Sequence, residues 1–171
     1  MKDPSIAVVH KHVGRSPKQV EFSFIFDEVY RLVKRGVNVH VIRYKRESAF
    51  SHGIYFHGVA RPVDPQVFKA LMEDIAITRN FTRMHLYLES LYAVNVSRVV
   101  KEYGLDLIHA HFAYPEGLVG LIAKRRVKRP LIVTLHGYDI LTVPEVRYGI
   151  RLSRRYDAIV QRVLREADAV I

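Results

Sequence analysis

The sequence predicts an α/β fold, a Rossmann-like parallel sheet with helices on both faces. Two observations support this prediction. Short apolar runs rich in β-branched residues alternate with segments whose apolar residues recur at helical spacing. The runs are apolar at successive positions, which is typical of strands buried on both faces. The chain has 171 residues, the size of one domain. We therefore expect a single Rossmann-like domain over 1–171.

The first half of the chain predicts a strand–helix–strand unit, a further strand and two helices. The strands are predicted over 6–10, 37–42 and 53–60, and the first helix is predicted over 22–33, between the first two strands. Gly36 follows two basic residues and marks the end of the first helix. A helical pattern starts at 64 with Pro65 at its first turn, and a further helix ends near Gly104. Whether these two helices are separate or form one kinked helix near Asn80 stays open.

The second half predicts three more strands and two more helices. The strands are expected over 107–110, 130–136 and 169–171, and the helices over 115–127 and 146–167. A final parallel strand without a covering helix leaves the edge of the sheet unfinished. We therefore expect a chain cut from a longer protein. The alternative is a short strand that closes the domain.

Composition narrows the classes of site and partner. There is no Cys, which excludes disulfides, a thiolate nucleophile and Cys-ligated metals. The net charge is +10 and favours an anionic partner: nucleic acid, a phosphate-bearing ligand or an anionic membrane surface. Few Asn and Gln beside many Arg, Lys and Glu favour a thermophilic source. No apolar run has the length of a signal peptide core or a membrane span, so we expect a cytoplasmic protein.

In open parallel sheets, ligands bind at the carboxyl ends of the strands. The loop over 10–18, after the first predicted strand, carries Gly14 and Arg15 and leads into a helix. Glycine allows close approach of the backbone, and arginine beside a helix N-terminus suits a phosphate. The loop has no G-x-G-x-x-G and no P-loop pattern, which argues against a nicotinamide dinucleotide or a P-loop nucleotide. Taken alone, the loop is better interpreted as a solvated basic loop.

The end of the 107–110 strand and the loop that follows it carry His109, His111, Tyr114 and Glu116. Strand alternation places the two histidines on the same face. Both histidines and Glu116 could ligate a metal, but their spacing has no helical regularity. A polar ligand pocket is the preferred interpretation, a structural role for His109 remains an alternative, and no metal is expected.

The loop after the 130–136 strand carries His136, Gly137 and Asp139. A histidine followed by glycine at a strand end presents an imidazole and bare backbone N–H groups to a cleft. Such groups hydrogen-bond an oxyanion or a sugar hydroxyl. Three loops of this kind at successive strand ends predict one binding cleft.

The segments 108–117 and 130–139 resemble the N-terminal domain of glycosyltransferase family 4 in residue order and spacing, as do the last six residues, 166–171. The resemblance is strongest over 106–171 and says nothing about the substrate. It implies a GT-B fold, in which two Rossmann-like domains enclose the active site. In that family the N-terminal domain mainly receives the acceptor, and the C-terminal domain holds most of the nucleotide-sugar.

The resemblance also implies roles for single residues. His136 matches the family histidine that faces the donor sugar, so we expect it to be catalytic. Gly14 falls in the loop that approaches the donor diphosphate, and we expect Arg15 and Gly137 to assist it. The family usually has a Gly-Gly pair in that loop, whereas this chain has Val-Gly-Arg-Ser at 13–16. The family's donor-binding glutamate pair belongs to the C-terminal domain.

The predicted function is therefore the acceptor-side half of a retaining, metal-independent hexosyltransferase. It would move a sugar from a nucleotide-sugar to a saccharide or lipid-linked acceptor and would be inactive as a fragment. The residues expected to line the acceptor cleft are His111, Tyr114, Glu116 and Asp139. The alternative is a basic α/β module that binds nucleic acid or another anion, although no nucleic-acid motif is present. The basic run 124–129, with Arg79, Arg83, Arg98 and Lys101, is compatible with peripheral contact with an anionic membrane. A solvated basic helix end explains the run at least as well, because cations are favoured at a helix C-terminus.

Overall fold

The computed structural model describes residues 3–10, 12–15, 22–44, 47–59, 65–78 and 84–171, without the side chains at 65, 77–78 and 84–86. Its seven strands are β1 Ser5–Val9, β2 Asn38–Arg43, β3 Ala49–Ser51, β4 Ile54–Gly58, β5 Leu107–His111, β6 Leu131–Thr134 and β7 Ala169–Val170. Its α-helices are α1 Ser23–Lys34, α2 Pro65–Thr78, α3 Met84–Tyr103, α4 Leu118–Val127 and α5 Arg154–Glu166.

One sheet holds all seven strands in the order β3-β4-β2-β1-β5-β6-β7. Every neighbouring pair is parallel except β3 and β4. Apolar clusters cover both faces: one includes Ile25, Phe26 and Val29 of α1, and the larger one is built around α3, α4 and α5. The predicted Rossmann-like parallel sheet with helices on both faces is confirmed.

The structure also confirms most of the predicted strands. Gly36, at φ 83°, ends α1, and Gly104, at φ 61°, follows α3. The question of a break or a kink near Asn80, between α2 and α3, falls outside the described residues. The short strand β3 was not predicted. It pairs with β4 through a tight turn at His52 and Gly53.

Two predicted helices begin later than expected. A proline forces the residue before it toward extended backbone. Accordingly Tyr114, at φ −146° and ψ 135°, interrupts the irregular turn Ala113–Gly117, and α4 starts only at 118. The helix expected over 146–167 is shortened by Gly149, whose φ of 106° is incompatible with a helix. Two short 3-10 turns stand there instead, and α5 starts at 154.

Much of the basic run at 124–129 is ion-paired within the domain. Lys124 lies 2.7 Å from Asp168, Arg125 lies 2.6 Å from Glu166, and Arg126 lies 3.5 Å from Glu73. The pairing reduces the charge that this run offers to a membrane or a nucleic acid, and contact with either stays a prediction. Arg79 and Arg83 lie outside the described part of the chain. Within that part, no helix combines the length and the apolar character that a membrane crossing requires.

Candidate functional site

Three histidines meet where β5 and β6 end. We call His109, His111 and His136 the histidine cluster. Ile108 and Ala110 of β5 face the larger core, so the alternate residues His109 and His111 face α1. The rings of His109 and His111 lie 4.5 Å apart, and those of His111 and His136 are stacked at 5.2 Å. The prediction that His109 and His111 share a face is confirmed.

Hydrogen bonds fix one nitrogen of each ring in this cluster. His109 Nε2 lies 2.7 Å from Thr134 Oγ1 on the neighbouring strand. His111 Nδ1 lies 3.0 Å from His136 Nε2. The carboxylate of Glu28, which α1 carries over the same face, lies 3.9 Å from both His109 Nδ1 and His111 Nε2. The cluster is therefore held by three elements, α1, β5 and the end of β6.

Burial keeps the cluster uncharged near neutral pH. It lowers the pKa of His109 to about 4, with a further contribution from His136. It lowers the pKa of His111 to about 2, and the neighbouring histidines add to that effect. The pKa of His136 is also lowered by burial, but the charge of Asp139 opposes the shift. Burial raises the pKa of Glu28.

Asp139 joins the two loops that follow β5 and β6. Its Oδ2 accepts a hydrogen bond of 2.6 Å from the backbone N–H of Ala113, and its Oδ1 accepts one of 3.0 Å from the backbone N–H of His136. The side chain is fully buried. Hydrogen bonds to a carboxylate are stronger than those between neutral groups. Asp139 therefore sets the distance between the loops and the position of His136.

The backbone around the cluster is unusual. Phe112 has a φ of 75°, a value rare for residues other than glycine, and its ring packs 4.6 Å from that of His136. Its carbonyl accepts a hydrogen bond from the N–H of Gly117. A Cβ at Gly117 would lie 2.8 Å from Val163 Cγ1 and 3.0 Å from the Phe112 oxygen, so only glycine fits there without a shift. Gly137, at φ 79°, also occupies the left-handed region.

A cavity of about 340 Å³ opens beside the cluster. Two of its walls come from the predicted acceptor residues Tyr114 and Glu116. The hydroxyl of Tyr114 donates a hydrogen bond to Glu89 of α3, which also lines the cavity. The remaining lining residues come from the segments after β1, β5 and β6 and from the region of α5: His10, His12, Phe22, Phe112, Pro115, Tyr138, Ile150 and Tyr156. The cavity thus combines aromatic walls with carboxylates, a composition that suits a polyhydroxylated ligand.

The predicted phosphate loop lies after β1. Gly14 is buried, and Arg15 donates a hydrogen bond to Glu47 and lies 3.2 Å from its carboxylate. The fully buried Arg43 stacks on Phe56 beneath this loop. The rest of the predicted loop, at positions 11 and 16–18, lies outside the described residues. The phosphate roles of Gly14, Arg15 and Gly137 stay predictions.

The structure divides the predicted site residues into two groups. His111, His136 and Asp139 are directly linked, but His111 and Asp139 have no exposed surface. Tyr114 and Glu116 line the adjacent cavity. Sequence reasoning missed Glu28 and Glu89. Both lie on helices that are distant in sequence from the loops after β5 and β6, and a carboxylate on a helix gives no local signal of a site. Phe112 lay within a recognised motif, but its backbone strain could not be read from the residue type.

Comparison with known proteins decides the family. The family model of the glycosyl transferase 4-like domain matches residues 25–171, most of the chain. The chain belongs to the glycosyl transferase 4-like domain family. The resemblance found in the sequence is therefore confirmed.

Individual relatives agree with this membership. The domain is 23% identical to N-acetyl-alpha-D-glucosaminyl L-malate synthase of Bacillus anthracis over 154 residues, 82% of the chain and 36% of that protein. Over 55 residues, 32% of the chain, it is 42% identical to an uncharacterized glycosyltransferase of Methanocaldococcus jannaschii and covers 15% of it. The chain therefore spans about a third or less of the length of these relatives.

A solved structure supports the fold. Sucrose-phosphate synthase from Thermosynechococcus elongatus superposes with a TM-score of 0.63 at 14% identity, over 98% of this chain and 42% of that one. The likeness supports the Rossmann-like fold of a GT-B domain for this glycosyl transferase 4-like domain.

Proposed function

We propose that this domain is the acceptor-side half of a retaining glycosyltransferase. In this proposal the whole protein moves a hexose-type sugar from a nucleotide-sugar to a saccharide or lipid-linked acceptor. The observation that carries the proposal is the position of His136. It is half-exposed at the carboxyl edge of the sheet, fixed through its ring by His111 and through its backbone by Asp139.

His136 is placed to act on charge that develops during transfer. A neutral imidazole held by two partners is preorganised, so orienting it costs little when the transition state forms. Burial lowers its pKa, which keeps it neutral at physiological pH. It would orient the donor sugar or stabilise the developing charge. The transfer itself is proposed to need no metal.

The acceptor is proposed to bind in the cavity beside the cluster. Tyr114 offers a phenol, which hydrogen-bonds sugar hydroxyls, and the aromatic walls suit the apolar face of a sugar ring. Glu116 lines the same cavity, although its side chain is almost fully buried. His111 and Asp139 were predicted to line the same cleft. Because both are buried, we propose that they act through His136 and the loop backbone.

The donor phosphates are proposed to approach Gly14, Arg15 and Gly137. Arg15 is about one third exposed and bonds to Glu47, an exposed residue, so it can exchange that partner for a phosphate at small cost. The sugar nucleotide would be held mainly by a second domain. The relatives' greater length supports this part of the proposal. The 171-residue chain alone is proposed to be inactive.

The test compares His136→Ala with His52→Ala in the full-length protein. His52 is an exposed histidine in the β3–β4 turn, at the opposite edge of the sheet. A panel of nucleotide-sugars is screened for release of nucleoside diphosphate with and without simple acceptors. We expect His136→Ala to raise the barrier by about 2–4 kcal/mol, a rate loss of roughly 30- to 1,000-fold. Equal turnover of the two variants would refute the role of His136, and no release with any donor would refute the proposed reaction.

A further inference from the structure

Three potential ligand atoms converge beneath α1. They are Glu28 Oε1, His109 Nδ1 and His111 Nε2, and all lie within 4.8 Å of one another. Within the described part of the chain, no other three side chains bring potential ligand atoms this close to one another. In the sequence analysis, the two histidines and Glu116 were considered as possible metal ligands. The structure places Glu28 there instead, and Glu116 lines the cavity.

We propose that Glu28, His109 and His111 bind one divalent transition metal ion of the zinc type. The site is distinct from the proposed sugar-transfer chemistry and does not rest on it. Two imidazoles and one carboxylate suit Zn²⁺, and also Co²⁺ or Fe²⁺, whereas Mg²⁺ prefers oxygen ligands throughout. Three protein ligands leave at least one coordination position for water.

The first argument for the site is that the other nitrogen of each imidazole is already held. Histidines that bind metals almost always use their second ring nitrogen in a hydrogen bond that fixes the ring orientation. Here His109 Nε2 bonds to Thr134 and His111 Nδ1 bonds to His136. The two nitrogens left over are the ones that face Glu28.

The second argument is the environment of His111 Nε2. This atom is fully buried and has no hydrogen-bond partner in the described structure. The nearest carboxylate oxygen, on Glu28, is 3.9 Å away, beyond hydrogen-bond distance. A buried polar atom without a partner costs about 1–3 kcal/mol, so native structures rarely leave one. A metal ion between His111 and Glu28 would satisfy it.

The distances allow an ion with a modest closure of the site. Tetrahedral bonds of about 2.0–2.1 Å place ligand atoms about 3.3 Å apart. The two separations of 3.9 Å must therefore shrink by about half an ångström. Glu28 can supply this movement, because its side chain is 40% exposed on α1. The two ring nitrogens, which lie within 4.8 Å of each other, must approach by a rotation of the imidazole rings. The same exposure gives an ion a path from solvent.

The site would also act on His136. An ion on His111 Nε2 forces the ring proton onto Nδ1, which then donates to His136 Nε2. Without an ion, the proton on this hydrogen bond can lie on either ring. Metal binding would therefore fix the tautomer of His136 without contacting a substrate.

The experiment uses the untagged chain, because a histidine tag binds the same metals. The protein is stripped with a chelator and titrated with Zn²⁺ against a chromophoric competitor, and with Co²⁺ by visible absorption. We expect one ion per chain with a Kd of about 1 µM or tighter. Co²⁺ should give the intense visible bands of four- or five-coordinate sites, and Mg²⁺ should not compete.

Variants separate this site from other histidines. Glu28→Gln is conservative, and its half-exposed position on α1 should preserve folding. We expect it to weaken Zn²⁺ binding at least tenfold. Thr134→Val keeps the side-chain shape, removes the bond to His109 and should weaken binding about tenfold. His57→Gln, in the separate His40–His57 pair, is the matched control and should bind like the wild type.

Two results would overturn the proposal. One is the absence of stoichiometric Zn²⁺ binding by the wild-type chain. The other is binding that is unchanged in Glu28→Gln or reduced as strongly by His57→Gln. Because the readout is metal affinity, it is independent of whether the full-length protein transfers sugar.

Discussion

Replacing Asp139 with Asn tests whether this carboxylate holds the two site loops together. Asp139 is fully buried and accepts backbone hydrogen bonds from Ala113 and His136. The asparagine side chain has almost the same shape but only one acceptor oxygen. Its NH₂ group must therefore face one of the two backbone N–H groups, donor against donor.

The expected cost follows from these two contacts. A hydrogen bond to a charged group contributes about 1.5–3 kcal/mol, and a buried donor left without an acceptor costs about 1–3 kcal/mol. One bond is lost and the other becomes neutral in Asp139→Asn. We expect the free energy of unfolding to fall by about 2–4 kcal/mol, a large part of the 5–15 kcal/mol typical of a domain.

The assay is urea denaturation followed by circular dichroism, with Asp168→Asn as the control. Asp168 Oδ2 also accepts a hydrogen bond of 2.7 Å from a backbone N–H group, that of Leu131. Its side chain is 47% exposed, so water can replace the contacts that the substitution removes. We expect Asp168→Asn to cost less than about 1 kcal/mol. Equal costs for the two variants, or a cost below about 0.5 kcal/mol for Asp139→Asn, would refute the reasoning.

A second readout separates the local effect from general loss of stability. The charge of Asp139 raises the pKa of His136 against the lowering by burial. Asp139→Asn removes that charge, so the pKa of His136 should fall further. The imidazole C–H resonance of His136 reports this in an NMR titration of the folded variant. An unchanged or higher pKa would contradict the assigned contact.

Two other predictions concern stability. Burial and the neighbouring His57 lower the pKa of His40 to about 4. The unfolded chain therefore takes up the proton first, and stability present above about pH 6.5 is lost as the pH falls toward 4, by about 3 kcal/mol for this group. Urea denaturation between pH 4.5 and 7.5 gives the free energy of unfolding as a function of pH, and its slope counts the protons taken up on unfolding. We expect His40→Gln to lower that number by up to one, and an unchanged slope would contradict this. Gly117→Ala forces Cβ to 2.8 Å from Val163 and should cost about 1–3 kcal/mol in the same assay. In Gly104→Ala, where the space is open, only the backbone cost of about 1 kcal/mol should appear, and equal losses would refute the packing argument.

The fold was accessible from the sequence because its signals are local. The apolar runs and helical spacing predicted β1, α1 and β2 to within about two residues at each end, since burial on both faces leaves a continuous apolar pattern. The strand β3 was missed because it is three residues long and its pairing with β4 depends on a turn. The start of α5 was wrong because the helical pattern concealed Gly149, whose left-handed backbone ends regular helix.

The candidate site was accessible only in part. The residues on strand ends, His111, His136 and Asp139, could be grouped because parallel strands bring their carboxyl ends to one edge. Their division into buried and exposed groups could not be predicted, since it depends on how the loops pack. Glu28 and Glu89 reach the site from helices, and nothing in their local sequence distinguishes them from other surface carboxylates.

The site is a continuous series of polar contacts, so the effect of substituting one member depends on the others. Glu28 faces His111, His111 bonds to His136, and the backbone of His136 bonds to Asp139, which holds Ala113. Each member has its position set by the next, so a substitution at either end changes the imidazole at the centre. Effects of such substitutions on His136 should therefore be non-additive when combined. Glu28→Gln together with Asp139→Asn would measure the coupling directly, through the pKa of His136 in the double variant against the sum of the single shifts.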